Sequence, residues 1–379
     1  MDLQAARRAG RQGRVLRGHR AGAERARLSG ILTALSVVVV THGHRSTVGP
    51  LLDALSDQLS DGDEIIVVDN ASADGTAGAV RSMAPSAIVI ETGANLGFAA
   101  ACNLGAAAAT GELLCFLNPD AVPAGGWREA IAAPLAEGRG WAAWQALVTA
   151  EAGRVVNARG GVVHFTGIAW AGGAGEPVAS AAVDAGEPGF VSGACLALVR
   201  DAFAQAGGFP EHYFLYHEDV DLSLRLRLAG GRLGVEPRAR VDHDYEFVKG
   251  PAKWRYLERN RWATVIRTYP GPLLAVLAPV LIATELALIG VSIAGGWFAQ
   301  KLRAWSDLIR WLPRLCRERR AIQRRRTIRA RDFAERLVAD LGSPYLGAAG
   351  RSRLLRTGLA AYWALALRLL GRPEPGRGP

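Results

Sequence analysis

The run Leu35–Thr41, LSVVVVT, limits what this chain can fold into more than any other segment. It is β-branched, has no polar alternation, and is too short for a buried helix and too apolar for a half-exposed strand. It reads as a parallel strand covered on both faces. A helical pattern follows in VGPLLDALSDQL, then EIIVVDN as a second strand, a short helix over residues 76–83, and SAIVIET as a third strand. Residues 98–110 are Ala-rich and helical, and ELLCFLNPD supplies a fourth strand that ends in polar residues. Strands alternating with helices predict an α/β fold, with a Rossmann-like, mostly parallel sheet and flanking helices.

In such a sheet ligands bind beyond the carboxyl ends of the strands. The residues expected there are Thr41 after the first strand, Asp69 and Asn70 after the second, and Asn118 and Asp120 after the fourth. Acidic and amide groups dominate. The loop after the first strand is THGHRS, without the GxGxxG turn that cradles a dinucleotide, so an oxidoreductase is disfavoured. Residues 141–237 mix short strands with Gly-rich loops and read as a mixed extension of the same sheet. Within them, FVSGACLALVRDAF is a strand leading into a helix. A further helix is expected from about Glu218 to the Gly230-Gly231 pair, where Val220, Leu224 and Leu228 keep helical spacing. KWRYLERNRWATVIRTYP reads as another helix.

The net charge of +10 over 379 residues is concentrated at the two ends. Eight arginines lie between Arg7 and Arg27, and a second basic run covers residues 303–336. Residues 1–30 therefore read as a flexible basic extension. Cys102, Cys115, Cys195 and Cys316 show no paired or zinc-type spacing and read as reduced thiols of a cytoplasmic chain. His42 and His44 have no downstream partners that would complete a metal-hydrolase site.

The motifs VVVVTHGH, VVDNASADGT, NLGFAAACNLG, LNPDA, GGFPEHYFLYHEDVDLSLRLR and VDHDYEF with ERNR occur in the order seen in family-2 glycosyltransferases of the GT-A fold. Over residues 35–270 the chain resembles the rhamnosyltransferase-type branch of that family. The resemblance implies an inverting enzyme that moves a sugar, rhamnose first among candidates, from a dTDP- or UDP-linked donor to a glycan or polyprenyl-linked acceptor. Asp120 stands where the family carries its DxD motif, with Asn118 replacing the first carboxylate. It is the expected ligand for Mg²⁺ or Mn²⁺, since a leaving diphosphate needs its charge neutralised. The competing reading of Asn118-Pro119-Asp120 is a plain turn.

By the same resemblance, Asp69 contacts the nucleotide, and Thr41, Asn95, Gly97, Asn103 and Asn118 line the donor. A tight turn with helix capping is the alternative for the three residues of the NxGF loop. Ser72 and Asp74 read as caps of the helix that follows. Asp219 matches the family base, because an acceptor hydroxyl needs somewhere to send its proton. Glu218 beside it is an acceptor contact or orienting partner. Both carboxylates, with Asp221, also suit a helix N-terminus, and Asp221 can pair with Arg225. His243 matches a histidine at the metal or diphosphate, with a buried core histidine as its alternative. Lys249, Arg259 or Arg261 is expected to supply charge to the phosphates, with at most one of the two arginines pointing inward. Trp254, Tyr256 and Trp262 read as core or membrane-interface aromatics. The rivals weighed are a sugar nucleotidyltransferase, which would need a basic Gly-rich loop after the first strand, and a non-catalytic nucleotide-sugar scaffold.

Residues 272–298 are apolar and long enough to cross a bilayer, interrupted by Pro279 and Glu285. A single crossing would export the Arg-rich segment that follows, against the cytoplasmic bias of basic loops. The expectation is an interfacial or re-entrant hairpin bending near Gly290 or at Gly295 and Gly296, with residues 354–370 as an amphipathic surface helix. The division expected is 1–30 extension, 31–270 GT-A catalytic domain and 271–379 membrane-associating helices, at the cytoplasmic face of a bacterial inner membrane. No nucleic-acid partner is expected.

Overall fold

The computed structural model describes residues 33–180, 187–244, 250–342 and 352–371. The basic extension 1–30 and Lys249 lie outside them. The first half alternates as the sequence predicts: β1 (Leu35–Thr41), α1 (Val48–Ser56), β2 (Glu64–Asp69), α2 (Thr76–Met83), β3 (Ile88–Glu91), α3 (Phe98–Ala108) and β4 (Leu113–Leu117). These strands lie parallel in the order β3-β2-β1-β4. Every residue of β1 is buried, because alternate side chains enter different cores. Val37 and Val39 meet Leu51, Leu55 and Val80 on one face, whereas Val38 and Val40 meet Ala101, Phe116 and Leu222 on the other. The Ala-rich composition of α3 has a packing cause. A Cβ on Gly105 would lie 2.4 Å from Val38 Cγ1, so this helix sits closer to the sheet than larger residues allow.

β5 (Val122–Pro123), α4 (Trp127–Ala136), β6 (Trp141–Ala150), β7 (Val155–Ala158), the hairpin of β8 (Gly161–Val163) with β9 (Ala169–Ala171), β10 (Cys195–Val199), α5 (Arg200–Ala206), α6 (Glu218–Leu228) and β11 (Arg232–Asp242) follow. The sheet continues β4-β10-β6-β11-β5, with β7 beside β6. β10 runs antiparallel to both β4 and β6, while β11 is parallel to β6. The mixed extension expected from the sequence is thus one continuous sheet with the parallel half.

The remaining helices are α7 (Lys253–Thr268), α8 (Gly271–Ala294), α9 (Phe298–Arg325), α10 (Ala330–Ala334) and α11 (Arg353–Leu369). α8 is, among the described residues, the one helix long and apolar enough to cross a membrane. It turns into α9 at Gly295 and Gly296 (φ +71°), the glycine pair named from the sequence. Leu273, Leu277 and Leu281 of α8, with Trp363 of α11, share a core with Val220 and Leu224 of α6 and Val265 of α7. On its other side α8 leaves Ile282, Leu286, Val291 and Ile293 exposed.

Glu285, which interrupts the apolar run, turns toward the protein. Its carboxylate meets Arg261 at 2.7 Å and Lys301 at 2.8 Å, and accepts from the indole N–H groups of Trp262 and Trp305. Glu258 completes the cluster, 2.6 Å from Lys301 and 3.2 Å from Arg261. Two acids balance two bases, the condition under which buried charge is tolerated.

Candidate active site

Three groups of side chains stand at the carboxyl edge of the sheet. The first is a polar web closing the ends of β1 and β2. Thr41 donates its hydroxyl to Asp69 Oδ1 at 2.9 Å, Ser72 donates its own to the same oxygen, and Asp69 is buried. Asn70 donates to Asn95 Oδ1 at 3.0 Å, and that oxygen also accepts from the Gly97 amide at 3.0 Å. Asn95 Nδ2 lies 3.3 Å from His42 Nε2. The side chain of Asn95 therefore shapes the loop from within while remaining exposed. Asp74 accepts from the Thr76 amide and hydroxyl and from the Arg45 amide, tying the start of α2 to the loop after β1; the N-cap itself is Gly75 without a side-chain cap, and Ser72, read as a cap, bonds Asp69 and the Gly43 amide instead. His42 and His44 are tied into the same turn, the His42 amide donating to His44 Nδ1 at 2.9 Å.

Gly97 begins α3 at φ +84°, ψ 163°. Its α-carbon sits so close to Phe214 that a Cβ would lie 2.5 Å from the ring and 2.6 Å from the carbonyl oxygen. The donor-side loop and the turn before α6 are thereby in direct contact. Asn103, expected to line the donor, is engaged elsewhere. It donates to the Phe209 carbonyl at 2.9 Å and to Glu211 at 3.1 Å, and accepts from the Phe209 amide at 2.9 Å. Its carboxamide clamps the loop ahead of α6, so it supports that loop and is not carried forward as a donor contact.

The second group is Asp120 with His243. Asp120 follows β4 and keeps 40% of its side chain exposed, while His243 is buried with Nε2 3.1 Å from Asp120 Oδ1. The backbone of His243 is held from both sides, donating to the Thr149 carbonyl and accepting from Asn157. Burial opposes the charge on Asp120. The imidazole of His243 and, further off, His44 outweigh that and hold its carboxyl below the usual range.

The third group is Glu218 and Asp219 at the start of α6. Asp219 accepts from the Gly193 amide at 3.0 Å and from the Val220 amide at 2.8 Å. Glu218 is buried, and among the described residues its Oε2 has no hydrogen-bond partner. Burial, then the neighbouring Asp219, pushes Glu218 well above the usual range. Burial also raises Asp219, but its two N–H donors work the other way. Two adjacent carboxyls with unequal donors separate into a neutral one and an ionised one. Burial raises both carboxyls, and Asp219, with its two N–H donors, is the better placed of the two to hold the charge. Residues 192–194 link this group to the second: the Asn118 amide donates to the Ala194 carbonyl at 3.1 Å, next to the Gly193 amide that holds Asp219.

The ERNR segment departs from expectation. Arg259 lies 3.4 Å from Asp307 and donates to the Tyr213 carbonyl at 2.7 Å, and Arg261 sits among Glu258, Glu285 and the Thr166 carbonyl. Both are buried and both are satisfied internally, so neither reaches toward phosphate. The physical reason is that α7 lies between the turn ahead of α6 and α9, which buries two of its sides. Asp221 and Arg225 pair at 2.6 Å as the sequence suggested, joined by Arg267 at 2.7 Å. Tyr256 stacks on Phe214 and Trp254 on Trp297, which makes both of them packing aromatics. Gly193 and Asn260 leave no sequence signature, since Gly193 acts through its backbone amide and Asn260 on backbone carbonyls.

A parallel sheet extended by a mixed set of strands, with acidic groups gathered at its carboxyl edge, is the arrangement of the GT-A fold. The solved structure of S. aureus TarS residues 1–349 with UDP superposes with a TM-score of 0.51 at 15% identity, covering 89% of this chain and 90% of that one. GalNAc-T7 with UDP, GalNAc and Mn²⁺ gives 0.52 at 18% identity, over 65% of this chain and 50% of that one. The sequence profile of glycosyl transferase family 2 matches residues 36–174. Over 262 residues the chain is 32% identical to the N-acetylglucosaminyl-diphospho-decaprenol L-rhamnosyltransferase of Mycobacterium tuberculosis, covering 61% of this chain and 83% of that protein. Rhamnosyltransferase WbbL of Escherichia coli is 39% identical over 70 residues, 16% of this chain and 26% of that protein. The chain belongs to glycosyl transferase family 2 and is a glycosyltransferase.

Proposed function

We propose that the chain transfers a sugar, with rhamnose from a dTDP-linked donor as first choice and UDP-linked donors next, to a polyprenyl-diphosphate-linked glycan, with inversion. The observation that carries this reading is the carboxylate pair at the head of α6: Asp219 held by the Gly193 and Val220 amides, beside a buried Glu218 whose Oε2 has no hydrogen-bond partner among the described residues. The name of the mycobacterial relative supports the sugar and the acceptor class. The acceptor hydroxyl oxygen attacks the anomeric carbon opposite the diphosphate. The bond to the leaving phosphate oxygen breaks, and the hydroxyl proton passes to Asp219. One displacement inverts the anomeric centre. Glu218 orients the acceptor as a hydrogen-bond donor. Asp69 meets the nucleotide, while Thr41, Asn95, Gly97 and Asn118 shape the donor loop around it.

Among the described residues no three metal-ligating side chains converge. Asp120 and His243 fit a cation that takes its remaining ligands from diphosphate and water, the usual arrangement for a hard ion at a phosphate. A bound Mg²⁺ or Mn²⁺ there would neutralise charge on the leaving diphosphate. The exposed side of α8 and the arginines of α9 support an interfacial hairpin at the cytoplasmic leaflet, where the acceptor lipid resides. On this reading residues 31–270 form the catalytic domain and 271–379 the membrane-associating part.

The test is a panel of nucleotide sugars with a membrane lipid extract, comparing wild type with Asp219→Asn. Transfer should fall by roughly 10²- to 10⁴-fold while donor binding survives. Loss of donor affinity in step with activity would make Asp219 a binding residue and overturn the assignment.

A further inference from the structure

Glu218 and Asp219 follow a turn whose backbone L-residues resist. Phe214 (φ +66°), Tyr216 (φ +69°) and His217 (φ +67°) all occupy the left-handed region, and none is glycine. His217 is the residue from which α6 starts, so the shape of this turn decides where the two carboxylates sit. Something must hold it.

The carbonyls of Tyr213, Leu215 and Tyr216 converge on one atom, Asn260 Nδ2, at 3.1, 2.8 and 2.7 Å. That nitrogen has two protons, so two carbonyls take full bonds and the third shares. Asn260 is fully buried, and its Oδ1 accepts from Arg259 Nε at 3.0 Å, which fixes the amide with its nitrogen toward the turn. Arg259 also donates to the Tyr213 carbonyl and reaches Asp307 of α9. The Tyr213 carbonyl also accepts from Arg259 and from the Leu215 amide, so a residue without a donor at position 260 removes the contact that ties the Leu215 and Tyr216 carbonyls to α7.

We infer that Asn260 is a positioning residue for the transfer reaction: it locks the left-handed turn 214–217 and so sets the location of Asp219, without touching substrate itself. This rests on Asp219 being the base. Residues of this kind act on the chemical step, because a carboxylate displaced by about 1 Å loses alignment with the hydroxyl while the nucleotide pocket is unchanged.

The test uses the full-length enzyme with the donor selected by the panel above. Asn260→Ala should lower kcat on the order of 100-fold. Donor KM, and the Kd for dTDP or UDP alone, should stay within about twofold, the signature of a contribution made in the transition state. A wild-type kcat in the folded variant, or Kd rising in step with the loss, overturns the inference. A merely structural residue would lower the melting temperature and leave kcat per folded molecule unchanged. Adding Tyr216→Gly to Asn260→Ala should recover about fivefold or more in kcat, because glycine accepts the left-handed conformation at about 1 kcal/mol less cost. Absence of recovery counts against the lock. If Asn260→Ala does not fold, Arg259→Lys keeps the charge toward Asp307 but loses the contact that orients the amide. It should show the same loss confined to kcat, and a wild-type kcat would overturn the inference equally. Asp219→Asn run alongside separates the failures: an active Asp219→Asn removes the base assignment, whereas an inactive one beside a fully active Asn260→Ala removes only the lock.

Discussion

Gly97→Ala offers a direct measure of how tightly the loop before α3 and the turn before α6 are joined. Two costs add. The backbone at φ +84°, ψ 163° lies in a region open essentially to glycine alone, so alanine there stores about 1–3 kcal/mol. The new methyl would lie 2.6 Å from the Phe214 carbonyl oxygen and 2.7 Å from its Cα, and neither backbone atom can rotate away. Overpacking of this kind costs a further ~1–3 kcal/mol. The sum, about 2–6 kcal/mol, is a large part of the 5–15 kcal/mol that holds a typical domain together. Urea unfolding followed by tryptophan fluorescence reads the loss. Gly78→Ala in α2 is the internal control, since its Cβ meets nothing within 4 Å and alanine in a helix gains roughly 0.5–1 kcal/mol. Transfer should also fall in Gly97→Ala, because relieving the clash moves either the loop at Gly97 or the turn that leads to Asp219. A Gly97→Ala enzyme within about 1 kcal/mol of wild type and fully active would refute the contact and the reasoning built on it.

Three other outcomes are expected. Asp120→Ala should abolish transfer and Mn²⁺ binding measured by calorimetry, whereas Asn118→Ala keeps measurable activity; full wild-type activity in excess chelator would remove the metal. His164 is buried and its imidazole is pushed down to about 4, chiefly by burial, so the unfolded chain takes up a proton below about pH 6.5 that the fold refuses. Its stabilising contribution is present above that pH and is lost on acidification, so the drop between pH 7 and 5 should be about 2 kcal/mol smaller in His164→Gln, read from urea midpoints. The chain should fractionate with membranes, and a reporter fused after Pro379 should be cytoplasmic; a periplasmic signal would replace the hairpin with a single crossing.

The parts of the molecule that the sequence made legible are those with a local pattern. β1 announced itself because a strand covered on both faces has no polar alternation, and of the two bend sites open in the sequence, Gly290 and the Gly295-Gly296 pair, the helix runs through the first and ends at the second. Strand order beyond β4 had no such signal. β10 reaches β4 across some eighty residues, Cys195 opposite Leu117, and nothing local in either strand records that choice. The carboxylates of the site were readable as motifs, yet what fixes them was not. Gly193 holds Asp219 through a bare amide, and Asn260 acts on carbonyls that any sequence would supply. Arg259 and Arg261 misled for the opposite reason. Their charge suggested phosphate, while their true partners, Asp307 and Glu285, lie on helices 48 and 24 residues further along.

The cluster of Glu258, Arg261, Glu285 and Lys301 bears on where the enzyme can be shortened. Residue 270 looks like a natural place to cut, since the described residues before it include every strand of the nine-stranded sheet. Cutting there would strip both partners from α7, leaving Glu258 and Arg261 paired only with each other on a newly wetted surface. It would also open the core that Leu273, Leu277 and Trp363 close over Val220 and Leu224, directly behind the helix that carries Asp219. A shortened enzyme would thus lose the apolar face of α8 and the packing behind Glu218 and Asp219 in one step. A soluble form is better sought by replacing Ile282, Leu286, Val291 and Ile293 on the outer side of α8 with polar residues, leaving its inner side and Glu285 in place.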